Sequence, residues 1–345
     1  MRGSVLRGAF IGFGNIALHG HLPGWLRRED VAIVAATDIA KERRETFLEA
    51  CSDGCWYDSI DDLFAEEALD FVDICTPPGS HAAVIGRALN SGIDVLCEKP
   101  LVTTPEDAAA LVSLSTGRVV YCVHNWLEAP ICRKIGELID QGAIGSVLSL
   151  DWRTLRTRPA ITVTPDGGAG NWRTDPAMAG GGILLDHGWH ALYCLCRWSG
   201  APPRAVTAAL ETRQIHEWAL EDTAEVELDF GVATGHIFLT WTANERANSI
   251  EIGGEIGRIR VDDNVVTLDR PSDKRQWTFA QSLSEGSHHP EWFDVVARNF
   301  LVAVAGAWGG NLGEAIMCAQ LIDLAQKSSR LSSGRQHYQH RGSGA

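Results

Sequence analysis

Three things are scarce in this sequence, and each scarcity excludes a class of protein. No apolar run approaches the roughly 20 residues that cross a bilayer. The apolar stretch from Val5 to Ile11 runs straight into glycines. The opening Met1-Arg2-Gly3-Ser4 has no signal-peptide core, so a cytoplasmic protein is expected. Basic residues are short as well: 30 Lys and Arg stand against 44 Asp and Glu, a formal charge of -14. Phosphate backbones and anionic lipid surfaces would be repelled, so neither nucleic acid nor membrane is expected as a partner. Paired Cys-x-x-Cys spacing is missing. The 9 cysteines are odd in number and scattered, and Cys75, Cys97 and Cys122 lie in or close apolar runs. They read as reduced, mostly buried thiols, with no zinc site and no metal expected. No internal repeat is present.

What is present begins at once. A strand-like run ends in Gly12-Phe13-Gly14-Asn15-Ile16-Ala17, and a helical pattern follows through Trp25. This is G-x-G-x-x-A between a strand and a helix, the context in which the motif carries information. Glycines there allow a tight turn and bring backbone N–H groups to a pyrophosphate at a helix N-terminus. The next strand, Val31 to Thr37, ends in Asp38. An acidic side chain at that place binds ribose hydroxyls and repels a 2′-phosphate, which favours NAD. Lys41, Arg43 and Arg44 lie nearby, so NADP stays open.

Strands and helices then alternate through Val123, which predicts a doubly wound parallel sheet. The chemically interesting residues fall at strand carboxyl ends, the ligand edge of such sheets. They are Thr76 and Pro77 (with His81 beyond), Glu98 and Lys99, and Asn125. Lys99, placed between Glu98 and Pro100, is read as a donor to a substrate oxygen; the bland alternative is a solvated surface lysine. After Asn125 the alternation stops. Val147 to Thr154 alternates like a strand, and the polar segment Arg156 to Arg173 reads as a loop over the site. Strand-like runs from Arg204 onward predict a mostly antiparallel sheet, closed by helices at about Pro290 to Val304 and Leu312 to Lys327. The reading divides the chain into residues 1–125, 126–328 and a disordered tail, 329–345.

The expected chemistry centres on Gly180-Gly181-Gly182-Ile183-Leu184-Leu185-Asp186-His187-Gly188-Trp189-His190. A helix starting near Gly182 puts Asp186 and His190 at i and i+4 on one face. A carboxylate beside an imidazole orients the ring and favours its charged form, as a general base requires. A core histidine bonded to a nearby aspartate is the plainer alternative. His187 stands one residue off that face. Arg156, Trp172, Arg173 and His187 are candidate substrate contacts, Arg173 equally an ion-pair partner. A metal site through His187, His190, His288 and His289 is disfavoured, since no carboxylate or cysteine spacing supports it.

Together these residues resemble the Gfo/Idh/MocA family of NAD(P)-dependent oxidoreductases from about Leu6 to Leu324. The resemblance rests on the glycine fingerprint, Thr76-Pro77 with His81, Glu98-Lys99-Pro100, Trp172-Arg173, and Gly180-Gly181-Gly182 with Asp186, Gly188 and His190. It implies a Rossmann domain followed by an α/β domain whose open sheet packs against another subunit in a homodimer or homotetramer. It implies that Lys99 touches nicotinamide ribose and substrate hydroxyl, and that Asp186 and His190 handle the proton. Pro78 replaces the asparagine common after Thr-Pro, and Asn125-Trp126-Leu127 replaces the common Asn-x-Arg. The substrate therefore does not carry over beyond a sugar, sugar derivative or cyclic polyol. Two other functions stay open: an NAD-dependent glycoside hydrolase and a non-catalytic nucleotide sensor.

Overall fold

A computed structural model describes residues 5–161, 171–214, 216–286, 288–331 and 334–339. The chain forms two compact units. The first holds the described residues up to Asn125, with Trp172 and the segment Gly286–Leu312; the second holds Trp126–Ala160, Arg173–Glu285 and the chain from Gly313.

In the first unit, β1 (Leu6–Ile11), β2 (Val31–Thr37), β3 (Cys55–Tyr57), β4 (Phe71–Ile74), β5 (Asp94–Cys97) and β6 (Val120–Cys122) form one parallel sheet in the order β3-β2-β1-β4-β5-β6. That order places a topological switch between β1 and β4, where such sheets bind dinucleotides. All residues of β4 and β5 are buried, as expected of strands covered on both faces. Helix Pro290–Val304 packs in this unit, where Phe293 and Phe300 meet Trp25. This corrects the expectation that it closes the second domain. Its apolar face finds an aromatic layer made by residues nearly the whole chain away, which local pattern does not reveal.

The second unit is built on nine strands: β7 (Val147–Leu155), β8 (Ala205–Glu211), β9 (Thr223–Asp229), β10 (Thr234–Thr240), β11 (Ala247–Gly254), β12 (Arg258–Asp262), β13 (Val265–Arg270), β14 (Asp273–Thr278) and β15 (Gln336–His337). Their order is β14-β13-β12-β11-β7-β10-β9-β8-β15, antiparallel throughout except for the parallel pair β7 and β10. Side chains alternate buried and outward along β9 and β11. One face therefore carries the core. The other carries charge, including His236 between Asp151 at 2.9 Å and Glu225 at 3.0 Å.

The expected disordered tail is corrected where it is described. The last helix, Leu312–Arg330, continues past residue 328, and β15 pairs with β8. Ser328 and Ser329 hydroxyls accept from the N–H groups of Ala208 and Leu210. Composition reads those serines as solvating, whereas they cap a sheet edge. Residues 332–333 and 340–345 lie outside the described residues, as do 162–170 of the segment expected to form a loop over the site. Among the described residues no helix is long and apolar enough to cross a membrane.

Candidate active site

The glycine turn follows β1. Gly12 has φ +84°, and a Cβ there would stand 2.9 Å from the Thr76 backbone nitrogen, so only glycine serves. A Cβ on Gly14 would meet nothing within 4 Å. The turn thus closes against Thr76 on one side and leaves open space beside Gly14. Phe13 points the other way, fully buried against Phe10 and Phe47. Asn15 and Ile16 are half-buried. Asp38 is drawn up to the turn: one carboxylate oxygen accepts from Phe13 N–H at 2.6 Å, the other from Ala40 N–H at 2.8 Å. Each oxygen keeps a second lone pair, so the carboxylate can still accept hydroxyls. Lys41 lies 3.8 Å from Asp58, both exposed. Among the described residues the buried Asn125 Oδ1 has no hydrogen-bond partner. Room at Gly14, a preorganised acidic acceptor and an unsatisfied amide oxygen are what a nicotinamide dinucleotide requires. When bound it supplies hydride chemistry.

Thr76 and Pro77 follow β4, half-buried. Beneath them His81 is fully buried, its ring nitrogens 2.8 Å from the carbonyl oxygens of Pro100 and Thr76. Burial pushes its pKa down despite those contacts. His81 therefore joins the loop after β4 to the loop after β5 from below. It makes no exposed surface.

The helix after the turn departs from the expected α pattern. Ala17–His21 is a π-helical turn, closed by Leu22 N–H on the Ala17 carbonyl. Pro23, which follows, has no N–H to continue an α ladder. The wide turn buries His21, which meets Asp73 and Glu98, each at 3.0 Å.

The second unit repeats the departure. Leu184–Gly188 is a π-helical turn leading into the α-helix Trp189–Ser199. The wide turn ends at Gly188, so Asp186 lies on it and His190 in the α-helix that follows, where the expectation ran one α-helix through both. Asp186 Oδ2 lies 3.5 Å from Arg173 Nε and 3.8 Å from His187 Nε2. His190 stacks on Trp126, ring centroids 4.8 Å apart, and its Nδ1 is 2.8 Å from the Tyr193 hydroxyl. That hydroxyl also accepts from Trp126 N–H at 3.1 Å. Asp186 and His187 side chains keep 14% and 18% exposure, enough for a small substrate to reach them.

The triple glycine has a physical cause that sequence reasoning missed. A Cβ on Gly182 would lie 2.0 Å from the carbonyl oxygen of Glu221. The Glu221 carboxylate accepts from Gly182 and Leu184 N–H groups, at 3.1 and 3.2 Å, holding the entrance of the turn. Burial raises its pKa. Nothing local marks Glu221, which is 39 residues away from Gly182.

Other candidates fall elsewhere. Arg156 is 2% exposed, with Nη1 donating to the carbonyls of Leu155 at 2.7 Å and Ala247 at 3.1 Å. Burial and the neighbouring Arg246 lower its pKa to about 10. The guanidinium thus ties strand ends together, with the Asp186 carboxylate near enough to act on it. Trp172 is half-buried in the first unit. In that unit too, His289 stacks on Trp292 at 3.6 Å and His288 meets His19 edge-on.

The comparisons with known proteins agree with this geometry. Residues 6–124 match the family of oxidoreductases with an NAD-binding Rossmann fold, GFO/IDH/MocA, and residues 132–260 match the GFO/IDH/MocA C-terminal domain. The chain belongs to the Gfo/Idh/MocA family and is an NAD(P)-dependent oxidoreductase. It is 28% identical over 260 residues to oxidoreductase P35 of Formosa agariphila, covering 74% of this chain and 79% of that protein. It is 30% identical over 237 residues to the D-xylose 1-dehydrogenase [NADP(+)] of Haloarcula marismortui, covering 66% and 61%. Among solved structures, a levoglucosan dehydrogenase in complex with NADH and levoglucosan shares the fold. Its TM-score is 0.82 at 20% identity, with 96% of this chain and 99% of that one covered.

Proposed function

We propose that the protein oxidises a secondary or anomeric hydroxyl of a sugar, sugar derivative or cyclic polyol, passing hydride to NAD. The observation that carries this reading is the cluster on the second π-turn. A carboxylate, an imidazole and a guanidinium gather there, partly open to solvent, with buried His190 at the start of the following helix, in a chain of this family. His190 takes the hydroxyl proton, Asp186 supplies the negative charge that favours the imidazolium, and Lys99 binds the developing alkoxide. Arg173 orients Asp186, and Trp172 contributes substrate surface. The mutual distance of 3.8 Å between Asp186 and His187 supports a second reading, in which His187 is the base.

The haloarchaeal relative carries NADP(+) in its name. Here Asp38, held against the glycine turn, favours NAD, because its carboxylate would oppose a 2′-phosphate. The charged face of the second sheet is the proposed contact between copies in a homodimer or homotetramer. The decisive assay follows NADH absorbance across a panel of free sugars and polyols, beside a chromogenic glycoside. NADH formation from a free substrate supports the dehydrogenase. Glycoside cleavage without net NADH would replace it with the hydrolase, and NAD binding with neither reaction would leave a sensor.

A further inference from the structure

The most tightly constrained group in the first unit is His21, and the function so far makes no use of it. Its Nδ1 lies 3.0 Å from both oxygens of Asp73, and its Nε2 lies 3.0 Å from Glu98 Oε1. An ionised carboxylate only accepts, so both ring nitrogens must carry protons and the ring is an imidazolium. The rest of the surroundings agree. Trp25 Nε1–H donates to Asp73 Oδ2 at 2.8 Å, and Cys75 Sγ lies 3.4 Å from Asp73 Oδ1. Phe293 covers one ring face, stacked at 3.9 Å and 13°. The side chains of His21 and Asp73 are 2% and 0% exposed. Burial alone would push the His21 pKa down, but Asp73 and Cys75 together outweigh it and hold the ring well above its ordinary range. Glu98 shows the reciprocal effect: burial raises its pKa, and the contact with His21 brings it below the ordinary value.

His21, Asp73 and Cys75 also offer three atoms within 4.8 Å of one another that could ligate a metal. The Asp73 oxygens they would supply already accept from His21 and Trp25, so the pairing is complete without an ion.

The far oxygen of Glu98 shows what the pairing does. Glu98 Oε2 accepts from the backbone N–H of Lys99 at 2.9 Å. We propose that His21 is a positioning residue for Lys99: wedged between Asp73 and Glu98, it fixes the carboxylate on which the Lys99 main chain rests. The turn that follows the cofactor fingerprint is thereby tied to the loop that presents Lys99. The inference rests on the reading that Lys99 binds the substrate oxygen.

The test uses the full chain with NAD and the best sugar or polyol from the panel. His21→Gln and Glu98→Gln should each lower kcat by about 10–100-fold, the order expected when a reacting group is displaced by about an ångström. KM for NAD should stay within about threefold. His21→Gln/Lys99→Ala should be no slower than Lys99→Ala alone, because groups acting through one another are non-additive. Histidine ring ¹⁵N spectra of the wild type at pH 8 should show both His21 nitrogens protonated, and Glu98→Gln should lower the pH at which the ring titrates.

A neutral His21 ring at pH 7 overturns the proposal, and so does near-wild-type kcat in both single variants. If Lys99→Ala is harmful while His21→Gln and Glu98→Gln are harmless, only the positioning role fails. If Lys99→Ala is itself harmless, the reading of Lys99 fails. Should His21→Gln not fold, Glu98→Gln and the wild-type spectra decide.

Discussion

Two π-helical turns carry the histidines of interest, and they differ in everything except backbone. The turn Ala17–His21 hands its imidazole to two carboxylates at 3.0 Å, in an interior that excludes water. The turn Leu184–Gly188 holds Asp186 at 3.5 Å from Arg173 and 3.8 Å from His187, with solvent access. A saturated, buried pairing has no capacity left for a substrate, and it determines shape. A looser, accessible cluster can rearrange around a hydroxyl and exchange a proton with it. On the proposed function, the same local device serves as frame in one unit and as chemistry in the other. Burial decides which.

The difference is open to attack first through stability. Asp73→Ala strands a buried imidazole and should cost about 3–5 kcal/mol, since removing one partner leaves an uncompensated charge. Asp186→Ala, on the open turn, should cost less, about 1 kcal/mol, because its contacts at 3.5 and 3.8 Å are long and water reaches them in part. Urea unfolding of both variants checks this, and equal costs would erase the distinction between frame and chemistry.

A somewhat smaller effect concerns the support of the open turn. Glu221→Ala leaves the Gly182 and Leu184 N–H groups without their acceptor and should cost about 1–3 kcal/mol. Glu221→Gln keeps an acceptor oxygen and should recover most of the loss in thermal unfolding. If Glu221→Gln is as damaging as Glu221→Ala, the carboxylate charge matters more than the contact.

The pH dependence of stability separates the turns again. The folded pKa of His21 is raised above its ordinary 6.5, so its contribution is fully present below about that pH and is lost as pH rises through the raised value. The folded pKa of Glu98 is lowered from 4.5, so its contribution is present above that pH and is lost as acid reaches the lowered value. Stability should therefore hold through neutrality and decline on the alkaline side. In Asp73→Asn the alkaline decline should shrink. An unchanged decline would assign it to another group.

Much of this was legible beforehand. The fingerprint glycines, Asp38, and the alternation of strands and helices are local signals, written within one turn or one period of the chain. The first sheet, the antiparallel second sheet and the placement of Lys99 at a strand end follow from them. The short β3 went unread, being only Cys55–Tyr57. The wide turns were invisible too, because an α and a π register share the same apolar periodicity over five residues. The partners of His21 lie 52 and 77 residues away, and no spacing rule joins them. Arg156, expected as a substrate contact, is a buried tie between strand ends, and no local signal marks that burial. His187, expected as a substrate contact one residue off the Asp186–His190 face, lies 3.8 Å from the Asp186 carboxylate.

The account stands or falls on the open turn, and steady-state kinetics on three single variants test it most directly. His190→Ala should lower kcat by about 10²–10⁴-fold, the usual contribution of a general base. Asp186→Asn should fall by a similar order, and His187→Ala should cost less than about tenfold. NAD affinity by calorimetry should be unchanged in all three. Near-full activity in His190→Ala together with a collapse in His187→Ala would move the base by one helical turn. Near-full activity in every variant would contradict the account.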